Sequence, residues 1–128
     1  MPKVTVDGKS IDSTPDRRLV LAIEELGVEI GHRCGGKARC TTCRVEIESG
    51  EPDSMTKAEY LKLKEKGLLG QVRLSCQILT SHDMVVRPLM TKESEVWTDT
   101  GPTPNEVVEP DPEWHPIPEL EAKYRRSG

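Results

Sequence analysis

Four cysteines constrain this chain more than any other feature, because of where they stand. Cys34, Cys40 and Cys43 lie within ten residues, spaced C-x5-C-x2-C, and Cys76 follows after a further 32 residues. The first three occupy the stretch Cys34-Gly35-Gly36-Lys37-Ala38-Arg39-Cys40-Thr41-Thr42-Cys43. The fourth sits in a strand-like segment, Val72-Arg73-Leu74-Ser75-Cys76-Gln77. Three thiols so close in sequence meet at a common point only if the backbone curls around it. Gly35 and Gly36 supply that freedom, since glycine enters the left-handed region and lets the backbone approach a ligand closely. The fold must then bring Cys76 to the same point from a distant element.

A three-plus-one thiolate set suits a [2Fe–2S] cluster, whose plant-type pattern, C-x4-C-x2-C followed by a distant cysteine, is one residue tighter in its loop. Such a cluster holds one electron, so the spacing points to function and not to stability alone. Loop N–H groups, with the hydroxyls of Thr41 and Thr42, are placed to donate to sulfur, one of the factors that set a cluster's potential. Other chemistries fit less well. Structural zinc prefers two close cysteine pairs, and only Cys40-x2-Cys43 is one. A disulfide framework belongs to an oxidising compartment, whereas Met1-Pro2-Lys3-Val4-Thr5-Val6-Asp7-Gly8 reads as a strand and turn, not a targeting peptide. The expected setting is therefore the reducing cytoplasm. A Rieske centre takes two histidine ligands, and none of His32, His82 and His115 forms a C-x-H or C-x2-H pair. His32 reads as a loop residue placed to hydrogen-bond near the cluster.

The stretch Cys34 to Val45 resembles the cluster loop of the [2Fe–2S] ferredoxins (the plant and adrenodoxin-like superfamily), and Arg73-Leu74-Ser75-Cys76-Gln77 resembles their fourth-ligand segment. The C-x5-C form is similar to the adrenodoxin and putidaredoxin branch. The resemblance spans about residues 3–90. It implies a β-grasp sheet with the cluster near one edge. It also implies a small soluble electron carrier, with no catalytic residues of its own, in which Cys34 and Cys40 hold one iron and Cys43 and Cys76 the other. The implied partners are redox proteins: a flavin-dependent ferredoxin reductase as donor, an oxygenase or haem-thiolate monooxygenase as acceptor. Service in cluster biogenesis and a structural metal-binding interaction module are the alternatives. Two features depart from the pattern. The gap before Cys76 is short for that branch and long for the plant type. The branch's acidic recognition helix has no counterpart, since the helix expected over Lys57–Lys66 carries Lys57, Lys62, Lys64 and Lys66 against Glu59 and Glu65.

Periodicity gives an α+β chain. Val4 and Val6 alternate before the hairpin signal Asp7-Gly8, and Lys9–Ser13 returns. Thr14 and Pro15 mark a helix start, and Leu19, Ala22, Ile23 and Leu26 carry the helix to Gly27. Arg44–Ser49 alternates again, and Thr56-Lys57-Ala58-Glu59 matches a capping box for a second, shorter helix ending at Gly67. Val72–Leu79 reads as extended around Cys76, and Met84–Leu89 as a last strand broken at Pro88. With no phenylalanine, the core must come from Val, Ile, Leu, Met and Ala.

Charge divides the chain into a domain at residues 1–92 and a tail at 93–128. The first carries 15 Lys/Arg against 13 Asp/Glu, the second 3 against 9. An oxidised cluster with its thiolates has a formal charge of about −2, which would leave the domain nearly neutral. Nucleic acid is not an expected partner, because the basic excess is small and aromatic residues are few. No run of 18 apolar residues suggests a membrane span. Arg33, Lys37, Arg39 and Arg44 flank the ligands, and if they surround the cluster they raise its potential. The tail holds six of the ten prolines, which argues against regular sheet. It also holds Trp97, Val107, Val108, Trp114, Ile117 and Leu120. Those residues favour a tail that packs on its own core, a neighbouring subunit or a partner. Pro118 can open a short terminal helix through Arg126, with Leu120 and Tyr124 on one face.

Overall fold

The computed structural model describes residues 2–32, 35, 36, 38, 41–91, 95, 101, 104–109 and 112–124. The chain opens with a hairpin, β1 (Lys3–Val6) and β2 (Lys9–Asp12), paired antiparallel. Asp7 and Gly8 both have positive φ, 50° and 79°, as a two-residue hairpin turn requires. Val4 and Val6 face the core while Lys3 and Thr5 face outward. The main sheet has the order β2-β1-β6-β3-β5, with β3 at Arg44–Ser49, β5 at Arg73–Leu74 and β6 at Met84–Pro88. Only the β1–β6 pair is parallel, so the sheet is mixed, and the α+β expectation is met.

Helix α1 (Leu19–Glu25) buries Leu19, Val20, Ala22 and Ile23 and packs against β1 and the turn that carries Cys76. It begins four residues later than the Thr14-Pro15 signal predicts. The reason is a competing bridge: Leu19 N–H donates to Ile78 O at 2.8 Å and Thr80 N–H to Arg17 O at 2.8 Å, holding Arg18 extended. Helix α2 (Lys57–Glu65) starts where expected, with Thr56 Oγ1 accepting from Glu59 N–H at 3.1 Å. The reciprocal half of the capping box is absent, because the Glu59 side chain turns inward. It is fully buried and accepts from Arg73 Nε at 2.8 Å, Arg73 Nη2 at 3.2 Å and Leu74 N–H at 2.8 Å. The capping-box expectation for the Glu59 side chain is thus corrected. Burial pushes its carboxyl above the ordinary range, against the pull of Arg73 and the Leu74 amide.

The expected extended run at Val72–Leu79 is also corrected. Only Arg73–Leu74 is strand; Ser75–Gln77 forms one 3-10 turn, which lifts Cys76 out of the sheet's alternation. Tyr60, fully buried, adds an aromatic ring to the aliphatic core.

The C-terminal segment overturns the argument against sheet. A strand β7 (Trp114–Pro116) pairs antiparallel with β4 (Ser54–Thr56), an element with no clear signal of its own. Pro116 stands at the end of this three-residue ladder, where proline is tolerated. Helix α3 (Ile117–Tyr124) follows, with Leu120 buried to 2% exposure and the Tyr124 ring centred 6.0 Å from that of Tyr60, tilted by 39°. Of the apolar tail residues, Val108 and Leu120 are buried, Val107 and Trp114 are exposed, and Trp97 lies outside the described residues, as does the end of the expected helix at Arg126. Among the described residues no helix is long and apolar enough to cross a membrane.

Two substitutions test this packing. Leu120→Ala leaves a cavity in the core and should lower unfolding stability by about 2–5 kcal/mol, measured by denaturant titration. Glu59→Ala removes the buried carboxylate partner of Arg73 and leaves it only the exposed Glu51 at 3.5 Å, and should cost about 3 kcal/mol by the same measurement.

Candidate metal centre

The cysteine loop leaves β-structure after the isolated bridge of Ile30 with Thr91 and rejoins it at Arg44. Between them the backbone turns left-handed repeatedly: Gly35, Gly36 and Ala38 have φ of 70°, 78° and 58°. For Ala38 that conformation is strained, and strain of this kind persists where surroundings enforce it. The curl places the Ala38 N–H against the Cys76 sulfur. A Cβ on Gly36 would lie 2.7 Å from Arg18 Nη2 and 2.8 Å from Pro104 Cβ, so only glycine fits there.

Of the four cysteines singled out by spacing, the structure brings Cys43 and Cys76 together. Both are buried, and their thiols are within hydrogen-bonding reach of each other. Cys34 and Cys40 lie outside the described residues. Ser75 joins the two ligand segments, its N–H and Oγ donating to Cys43 O at 3.2 and 2.8 Å. The contact with Cys43 holds the Cys76 thiol below its ordinary range; burial opposes this, and the Gln77 amide, the Ala38 N–H and the Arg18 charge reinforce it. A buried pair of thiols surrounded by N–H donors and a guanidinium is suited to thiolate, the form that binds iron.

Three polar side chains serve this site in roles that periodicity and motif did not assign to them. Arg18 is fully buried, with Nε and Nη2 donating to Cys76 O at 3.0 and 2.7 Å and Nη2 also to Gly36 O. Gln77 is fully buried and holds its amide 3.6 Å from Cys76 Sγ. Thr56 donates to Gln77 Oε1 at 2.8 Å while capping α2. A signal for Arg18 did exist: a cation at a helix N-terminus opposes the helix dipole, so its position just before α1 asks for a reason.

Other expected contacts are redistributed. His32 is buried and faces Glu24 of α1, with its Nε2 toward the carboxylate. Of the four flanking cations, Arg44 folds onto Thr41, donating to its carbonyl at 2.9 Å and to its hydroxyl. Arg33, Lys37 and Arg39 lie outside the described residues. The lysines of α2 are largely engaged within the chain: Lys62 with Glu65 at 2.7 Å, Lys64 with Tyr124 O, and Lys57 near Glu113 at 3.9 Å.

Comparison with known proteins agrees with this geometry. Residues 4–81 match the family model described as the 2Fe-2S iron-sulfur cluster binding domain. A 2Fe-2S ferredoxin of Haemophilus influenzae is 35% identical over 85 residues, covering 62% of this chain and 74% of that protein. One polypeptide of the Na(+)-translocating NADH-quinone reductase of Pseudoalteromonas atlantica is 31% identical over 77 residues, covering 59% of this chain but only 18% of that protein. Among solved structures, a ferredoxin from Rhodopseudomonas palustris superposes with a TM-score of 0.53 at 28% identity, covering 70% of this chain and 99% of that one. The β-grasp expectation is met by that likeness.

Gly36→Ala should prevent the loop from closing on Arg18 and Pro104. The expected outcome is a folded protein whose iron, sulfide and visible absorbance per chain fall several-fold.

Proposed function

The chain belongs to the 2Fe-2S iron-sulfur cluster binding domain family and is an electron-transfer protein with a [2Fe–2S] cluster, and from that premise we propose that Cys34, Cys40, Cys43 and Cys76 are its four thiolate ligands. The observation that carries this reading is the meeting of Cys43 and Cys76, with 32 residues between them in sequence, in one buried, donor-lined place. Family resemblance supports pairing Cys34 with Cys40 on one iron and Cys43 with Cys76 on the other. When bound, the cluster supplies a single-electron couple, one ferric ion becoming ferrous and the formal charge falling by one.

The chain's own residues then have definite tasks. Ala38 N–H and the Gln77 amide donate toward Cys76 sulfur, which favours negative charge there. Ser75 locks the two ligand segments at a fixed separation. Residues 1–92 form the cluster-bearing domain in this proposal, and 93–128 an appended segment whose described parts, 104–109 and 112–124, pack on it. That division is supported by the family match over 4–81 and by the seating of Leu120 in the core.

The electron comes from a flavin-dependent reductase and goes to an acceptor oxidoreductase, an assignment supported by the likeness to one component of an NADH-quinone reductase. Free rather than disulfide-bonded Cys43 and Cys76 support a reducing compartment, the cytoplasm in our reading. An engaged lysine face on α2 gives less reason to expect docking through that helix.

Visible and EPR spectra of anaerobically purified protein, before and after dithionite, test the proposal. The expected protein is red-brown, bleaches on reduction and gives a rhombic signal from one unpaired spin; Cys76→Ala removes both. A colourless protein containing zinc would sink the electron-transfer reading.

A further inference from the structure

The segment 104–109 lies beyond the matched family region, yet it reaches the centre of the site. Three of its backbone carbonyls, alternating along the chain, are aimed inward. Asn105 O and Val107 O accept from Arg18 Nη1 at 2.9 and 3.1 Å, and Glu109 O accepts from Gln77 Nε2 at 2.7 Å. Arg18 and Gln77 are the same side chains that touch the peptide and the sulfur of Cys76. Pro104 presses on Gly36, and Asn105 Nδ2 braces Glu109 Oε1 at 2.8 Å, which fixes the segment's own curvature.

The charge balance around Arg18 is unusual. Its guanidinium is always protonated and has five N–H donors. Its hydrogen bonds run to backbone carbonyls, those of Cys76, Gly36, Asn105 and Val107. Among the described residues no carboxylate forms an ion pair with it. A buried charge without an opposite charge is costly. Carbonyl dipoles relieve part of that cost, and an anion beside Cys76 would relieve the rest. A cluster whose thiolates leave it negative is such an anion.

We propose that residues 104–109 are a strap that sets the cluster's reduction potential by holding Arg18 as its buried counter-charge and Gln77 as its sulfur donor. Arg18 and Gln77 are thus positioning residues for electron transfer, and the strap acts through them. The sign follows from charge. Reduction adds one negative charge, a fixed cation and N–H donor stabilise it, and so both residues raise the potential. Releasing the strap frees the two side chains, and the loss of a fixed cation and a fixed donor lowers the potential. This inference rests on the four-cysteine ligand reading given above.

The test is spectroelectrochemical titration of the loaded full-length protein, with iron and sulfide counted in each sample. Arg18→Gln should lower the reduced-to-oxidised ratio at fixed applied potential about tenfold, a midpoint shift of about 59 mV. Arg18→Lys, which keeps the charge, should recover most of that loss. Gln77→Met, similar in size but without the donor, should lower the ratio about threefold. Val108→Asp puts a charge on a buried strap residue away from the cysteines. It should speed protease cleavage between 101 and 113 and lower the potential in step. Should Arg18→Gln not fold, Gln77→Met and Val108→Asp decide the matter. Loaded variants with unmoved midpoints overturn this proposal alone. A wild-type protein without iron and sulfide overturns the ligand reading, and this proposal with it.

Discussion

The Ser75–Gln77 turn is the point on which the structure hangs. A single 3-10 turn has too few internal hydrogen bonds to keep its own shape, and this one must hold Cys76 opposite a loop that ends 32 intervening residues earlier. It is suspended from outside instead. Glu59 of α2 takes the Leu74 N–H at its entrance, and Cys43 O takes two donors from Ser75. Arg18 takes the Cys76 carbonyl, and Thr56 and Glu109 O fix the two ends of the Gln77 amide. The supports come from the start of α1, the start of α2, the cysteine loop and the C-terminal segment. Elements far apart in sequence are thereby committed to one three-residue turn.

These supports are polar and buried, an arrangement that specifies position better than it stabilises. A pair such as Glu59 and Arg73 gives little net stability over a well-packed apolar pair, because both charges are desolvated. What it offers is direction: Arg73 donates to Glu59 through two nitrogens and also to the carbonyls of Pro52 and Ser54. One guanidinium therefore joins α2, β5 and the connection leading into β4. Leucine or methionine there would fill the space and leave the strand free to slide. The apolar residues of β1, α1, β3 and β6 supply the cohesion, and the buried ionic and amide groups supply the register.

Much of this was legible in the sequence, and what was not has a common cause. The hairpin at Asp7-Gly8, the strand at Arg44–Ser49 and the cap at Thr56 depend on local patterns, and each lies where those patterns put it. The cysteine spacing pointed to the site, and the two described cysteines meet there. The misses all come from long-range bonds. The start of α1 gave way to a bridge with Leu79, Glu59 left its capping box for Arg73, and β7 formed despite Pro112, Pro116 and Pro118 because β4 offered it a partner. No motif assigns Arg18 or Gln77 its role, since those roles depend on the fold having already placed Cys76, Gly36 and residues 105–109 around them.

A group that gains and loses one electron is best served by surroundings that need not rearrange when its charge changes. Water and mobile side chains reorient with each transfer, whereas dipoles already fixed in place do not. The site's donors are fixed in this sense: a loop amide held by left-handed backbone, a carboxamide pinned at both ends, and a guanidinium anchored on peptide carbonyls. The C-terminal segment completes that enclosure on a side the matched domain leaves uncovered. Its proline content suits the task, because proline restricts the backbone before it docks and lowers the entropy lost in holding three carbonyls in line. A stretch whose apolar residues favour packing over solvation can dock in this way only where its carbonyls have buried donors to meet, and for residues 105–109 Arg18 and Gln77 are those donors.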